Sequence, residues 1–293
     1  MTEGHPPQPV PVAVPAAVAD LIAGPPRVGR VLTRLSRAVV LVLDDHPEPS
    51  GQVLTLLAPG ASGTPHGIRV PVAAVPAMFA HAVPGVPVSV GEGRVTLPGM
   101  SLRAARAVPS RVPPGPVDPD AVALLARIST RRPPGAGGPA GVRRVLDEAD
   151  PAPAVLELLG LGPGLTPAGD DLLAGLLCGL WATGRTLEAE RIGAVVGALA
   201  PARTTALSAD LLHQAARGHA GDAVLAVVAA VRAASGPRLH DAVAALLDIG
   251  HTSGADLLAG LVVGLSGSPE RPPTPGRLCP PQDCPPQDGK DGR

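Results

Sequence analysis

The chain has no Tyr, one Phe (Phe79) and one Trp (Trp181) among its 293 residues. With only these two aromatic side chains, base-stacking recognition of nucleic acid is not expected. The core must instead be built from Ala, Val and Leu, which lets helices approach closely but leaves few ring anchors for a ligand. An excess of one charge is also missing. A net charge of −1 leaves no broad basic surface to neutralise a phosphate backbone, so nucleic acid is not an expected partner. Cysteine is scarce: Cys178 lies in an apolar run, and Cys279 and Cys284 lie in a Pro-rich tail. That arrangement is unlike a disulfide framework and points to the cytoplasm. Long hydrophobic runs are absent too. The stretches 172–182 and 257–265 are too short to cross a bilayer and each follows an Asp, so no membrane association is expected. The first 15 residues, with Glu3 and scattered prolines, lack the cationic start and apolar stretch of a signal peptide.

What is present is enough apolar content, 45%, for one large core or two ordinary ones. Between residues 28 and 108 short β-type runs at 28–35, 38–43, 52–57, 68–75, 86–90 and 94–97 alternate with turn signals such as Pro59-Gly60 and Gly91-Glu92-Gly93. They predict a small antiparallel sheet or barrel, with short helices at 13–22 and 73–81. After the Pro-rich junction at 109–116, Asp118 and Pro119 form a helix-start signal. Strand signals then vanish, and helical periods fill 121–128, 142–149, 154–159, 171–182, 187–199, 204–217, 222–234, 238–247 and 255–265. The expected fold class is therefore α+β. Its expected parts are a partly disordered segment at 1–27, a β-rich domain at 28–116, an all-α domain at 117–265 and a disordered Pro-rich tail at 266–293.

Within the helical half one motif occurs twice. Gly164-Leu-Thr-Pro-Ala-Gly-Asp-Asp-Leu-Leu-Ala-Gly175 and Gly250-His-Thr-Ser-Gly-Ala-Asp-Leu-Leu-Ala-Gly260 align after removal of one loop residue. Thr166 then matches Thr252, Gly169 matches Gly254, and Asp171 matches Asp256. Each copy is a Gly-rich turn feeding a helix whose glycines, Gly175 and Gly179 or Gly260 and Gly264, recur every four residues on one face. Glycine costs about 1 kcal/mol in a helix interior, so the stripe calls for a reason, and close packing of the two copies supplies one.

The turns carry the candidate chemistry. Gly162, Gly164 and Gly169 permit close backbone approach, and free amides at a helix start can hold a small anion such as phosphate. No lysine follows, so this is not a Walker loop. Asp170, Asp171 and Asp256 can be helix caps. Alternatively Asp171 and Asp256, brought together by the packed repeats, could act on a substrate or hold Mg²⁺ near Thr166 and Thr252, with Ser253 and Gly254 beside them. His251 is an acid-base candidate. A third segment offers Arg203 as a carboxylate or phosphate clamp with Thr204 and Ser208, set against Thr204 or Thr205 as a cap and Arg203 as a solvated side chain.

Through 161–175, 204–208 and 250–256 the chain resembles a bacterial domain family that includes a subunit of the oxamate carbamoyltransferase of anaerobic allantoin degradation. The resemblance spans most of the helical half, touches the β-rich half only in general layout, and does not reach the tail. It implies a multi-subunit enzyme exchanging oxalurate and phosphate for oxamate and carbamoyl phosphate, with a partner subunit similar to acyl-CoA synthetases. It implies no residue roles, so the alternatives stand: a transferase subunit, a non-catalytic ligand-binding or assembly subunit, or a metal-dependent hydrolase.

Overall fold

The computed structural model describes residues 8–44, 53–131 and 134–267. The tail with Cys279 and Cys284 and the first seven residues, for which disorder is the expectation, lie outside the described residues.

The chain opens with β1 (Val10–Pro15), α1 (Ala16–Ala23), β2 (Arg27–Arg34), β3 (Ala38–Leu43), β4 (Val53–Leu57) and β5 (Gly67–Arg69). A 3-10 turn (Val72–Ala74), α2 (Val75–Ala80), β6 (Pro87–Gly91), β7 (Arg94–Leu97) and β8 (Met100–Val108) complete this half. The strands form one sheet in the order β1-β8-β7-β6-β2-β3-β4-β5, and β1 comes back beside β5, so the sheet is a nearly closed barrel. Pairing is antiparallel except at β1/β8 and β4/β5, which are parallel.

β3 shows how sequence sets position. Its run Ala-Val-Val-Leu-Val-Leu is buried along its whole length. Val39, Leu41 and Leu43 point into the barrel with Leu54 and Leu56, whereas Val40 and Val53 point outward against Leu207 of the helical half. A strand covered on both faces reads as an unbroken apolar run.

Most expected strands appear within two residues. The strand expected at 68–75 stops at Arg69 because Pro71 leads into the 3-10 turn. Residues 13–15, expected to start a helix, end β1 instead. Pro11 and Pro15 are tolerated there because β1 pairs only with β8 and leaves its other edge without a ladder. β8 has no counterpart among the expected strands. Its Ala- and Arg-rich stretch has weak β propensity and is held by neighbours on both sides.

The helical half comprises α3 (Pro119–Ser129), α4 (Gly138–Asp147), α5 (Ala152–Leu158), α6 (Ala168–Thr183), α7 (Thr186–Arg203), α8 (Ala206–Ala216), α9 (Asp222–Arg232), α10 (Gly236–Leu247) and α11 (Ser253–Leu265). Asp118 caps α3, its Oδ1 accepting from Ala121 N at 2.7 Å, as the sequence predicts. No described helix is long and apolar enough to cross a membrane.

α6 and α11, the two motif copies, pack backbone to backbone. A Cβ on Gly175 would strike the carbonyl of Leu257, and one on Gly260 would strike the carbonyl of Leu172, the equivalent residue. Further along, a Cβ on Gly179 would lie 2.7 Å from Gly264 Cα. The contacts advance in step along both helices, so the helices run parallel and bring both turns to one end.

Several ties join the halves, among them an apolar contact, a buried hydrogen bond and an ion pair. Val40 and Val53 meet Leu207, as above. His66 Nδ1 lies 2.8 Å from Asp210 Oδ2, with both side chains buried. Arg69 pairs with Asp222 at the start of α9.

The glycine seam is testable by paired substitutions. Gly260→Ala should lower unfolding free energy by at least about 2 kcal/mol, since a backbone carbonyl must move. Gly197→Ala, in α7 with nothing near the added Cβ, should raise it by about 0.5–1 kcal/mol. Urea unfolding of both variants checks the contrast.

Candidate functional site

The first turn is held in place by Asp170. Its Oδ1 accepts from Gly160 N at 2.8 Å, and its Oδ2 accepts from the hydroxyls of Thr204 and of Ser208, the latter at 2.6 Å. Thr205 caps α8 by accepting from Ser208 N at 3.1 Å and donates to Leu165 O at 2.5 Å. Segment 204–208 is therefore a clip on the turn. Asp170, Thr204 and Ser208 satisfy one another, which leaves them little capacity for a ligand. The glycines also have packing reasons: a Cβ on Gly169 would strike Leu158 O, and one on Gly254 would strike Leu246 O. Gly162 and Gly164 adopt φ values of 112° and 100°, which lets the turn reverse before α6.

None of the three aspartates caps a helix. The N-cap of α6 is Pro167 and that of α11 is Thr252, neither with a side-chain cap bond, so Asp171 and Asp256 sit inside the first turns. There they lie at the positive ends of two parallel helices.

The turns touch each other, with Thr166 Oγ1 and Ser253 Oγ 2.9 Å apart. Asp171 lies within hydrogen-bonding reach of both and within electrostatic range of Asp256 and Asp170. Only 5% of Asp171 is exposed, and its Oδ2 is buried without a partner. Burial pushes its carboxyl up to about 8, helped by the neighbouring carboxylates and opposed by Ser253 and Thr166. Asp171 lines a cavity of about 750 Å³.

Asp256 is fully buried and is not part of that lining. Its Oδ1 accepts from Gly135 N at 2.6 Å, and Thr252 also hydrogen-bonds to it. Its carboxyl is raised by burial, and Oδ2 is without a partner. The seam thus brings the two carboxylates near each other, but only Asp171 opens onto the cavity. His251 and Arg203 are exposed and stand outside the cavity lining.

The sheet builds the facing wall of the same cavity. Arg37 at the β2–β3 turn, Thr55 of β4 and Thr64 before β5 line it, with His219 and Asp248 from the helical half. Thr55 is 4% exposed with a buried, unpartnered Oγ1. A lone Thr in Val-Leu-Thr-Leu-Leu is the sequence signal that could have marked it. Arg37 is exposed and donates to Gly60 O at 3.0 Å, leaving the rest of its guanidinium available to a carboxylate. His219 Nδ1 lies 3.0 Å from Ser110 Oγ, and its pKa is lowered by burial and then by Arg111 and Arg217. Cys178 also lines the cavity, but burial pushes its thiol up to about 12, so it is not a nucleophile near neutral pH. No group of three His, Cys, Asp or Glu suited to a metal occurs among the described residues.

A carboxyl with a raised pKa ties stability to pH. Because the folded value exceeds the unfolded one, the contribution of Asp171 is full below about pH 4 and is lost as pH rises to about 8. Asp171→Asn should flatten the fall in stability across that window, with the remaining slope reflecting Asp256. Urea midpoints measured across the window check this; wild-type and variant curves that stay parallel would contradict it.

A family model described as oxamate carbamoyltransferase subunit AllH matches residues 158–265, the stretch holding both turns, the 204–208 clip and α6 to α11. This agrees with the family that those motifs resemble. No solved structure matches the chain.

Proposed function

We propose that the chain is the substrate-binding subunit of a carbamoyl-transferring complex, and that the cavity between its halves takes a small carboxylate-bearing amide of the oxamate and oxalurate class. The observation that carries this reading is Asp171 in the cavity lining, its carboxyl raised to about 8 and its buried Oδ2 without a partner. The similarity to a carbamoyltransferase subunit supplies the reaction class.

Near neutral pH the Asp171 carboxyl is mostly protonated and can donate a hydrogen bond to a carbamoyl or amide oxygen. With a value so close to ambient pH it can also return a proton to a departing amide nitrogen and take one back. The hydroxyls of Thr166 and Ser253 hold the carboxyl in place, and Thr55 offers a polar contact from the opposite wall. Arg37 is the cation placed to take the ligand's carboxylate. A cavity of about 750 Å³ leaves room for a second reactant or a segment of a companion subunit, of which an acyl-CoA-synthetase-like protein is the proposed example. The cytoplasm is the proposed compartment.

The test is reconstitution of the full chain with its companion subunits, followed by measurement of carbamoyl phosphate formed from oxalurate and phosphate. Asp171→Asn should lower kcat by about 10²-fold or more. Arg37→Gln should raise KM about tenfold with little change in kcat. His251→Gln and Arg203→Gln, both exposed and outside the cavity lining, should leave the kinetics close to wild type. Turnover that survives loss of Asp171 would leave only an assembly role for this chain.

A further inference from the structure

A second, smaller cavity of about 230 Å³ lies where the ends of β1, β5 and β8 meet the start of α9. It shares Gly63, Thr64 and Ala220 with the wall of the larger one, so the two compartments adjoin. Two guanidinium groups line it, Arg69 of β5 and Arg106 of β8. Arg69 pairs with Asp222, whereas Arg106 has no ion-pair partner among the described residues. Two arginines against one aspartate leave the compartment with a positive charge to be balanced.

Its other walls offer donors and little bulk. Thr64 Oγ1 is buried without a partner. α9 starts at Asp222 behind Gly221, with no side-chain cap, so first-turn amides remain open at this edge. Gly63 keeps the wall thin: a Cβ there would lie 2.5 Å from Asp222 Oδ2 and 2.9 Å from Arg69. From the paired guanidiniums in so small a space we infer that this compartment is a binding subsite for a small oxyanion of phosphate type. Arg106 supplies its uncompensated charge, Arg69 is oriented by Asp222, and Thr64 forms the partition toward the larger cavity.

The inference does not depend on the carbamoyl-transfer reading, because it concerns anion binding by the chain alone. The probe is inorganic phosphate, titrated calorimetrically into the full-length protein. Wild type should bind one phosphate in the millimolar range, more weakly as salt is added. Arg106→Gln should weaken binding about tenfold, the loss of one charge-assisted pair, and Arg106→Glu should abolish it. Arg106 is exposed, so both variants should unfold at the wild-type temperature. Arg37→Gln and Asp171→Asn, in the larger cavity, should bind phosphate as wild type does. Absence of saturable binding, an unaffected Arg106→Gln, or an equal loss in Arg37→Gln would each overturn the assignment, whatever the outcome of the turnover assay.

Discussion

The contact between the glycine faces of α6 and α11 governs the helical half. Side chains on Gly175, Gly179, Gly260 or Gly264 would drive the helices apart, because each faces backbone atoms of the opposite helix and not a side-chain end that could swing away. Parallel packing then has an electrostatic consequence: two positive helix ends lie side by side. Asp171 and Asp256 sit in these first turns, and packing buries both carboxyls and raises both pKa values. A seam made of the smallest side chain therefore creates the unusual acid at the site.

Around that pair the structure divides labour. Asp170 is satisfied by Gly160, Thr204 and Ser208 and fixes the first turn. Asp256 is closed over by Gly135. Of the three, Asp171 alone lines the cavity, and its buried Oδ2 has no partner. The barrel supplies the rest of the enclosure, and it is held there by the outward faces of β3 and β4 and by the buried His66–Asp210 pair. Displacing one half from the other would open the cavity and unpair His66, which couples the geometry of the site to the interface.

The sequence made the repeat, the glycine seam, the α+β order and most strands legible, because hydrophobic period and glycine spacing are local signals. What it could not show depended on long-range neighbours. Three aspartates at the motif look alike in sequence, yet one is a scaffold, one is enclosed and one faces the cavity, according to partners as distant as Thr204 and Gly135. Arg203 and His251 have suitable chemistry beside the motif but point into solvent. Arg37, Thr55 and Thr64 sit in strands and turns with no motif of their own and enter the site only because the barrel docks on α8. β8 was invisible for a related reason, since its alanines and arginines are held as a strand by flanking partners.

The central claim is that one ligand is gripped from both halves at once. Amide hydrogen exchange of the full chain, with and without saturating oxamate, tests it most directly. The account predicts that oxamate slows exchange together in the 60–65 loop of the barrel half and in the two turns around Thr166 and Ser253. Protection confined to one half, or protection absent from both turns, would contradict it.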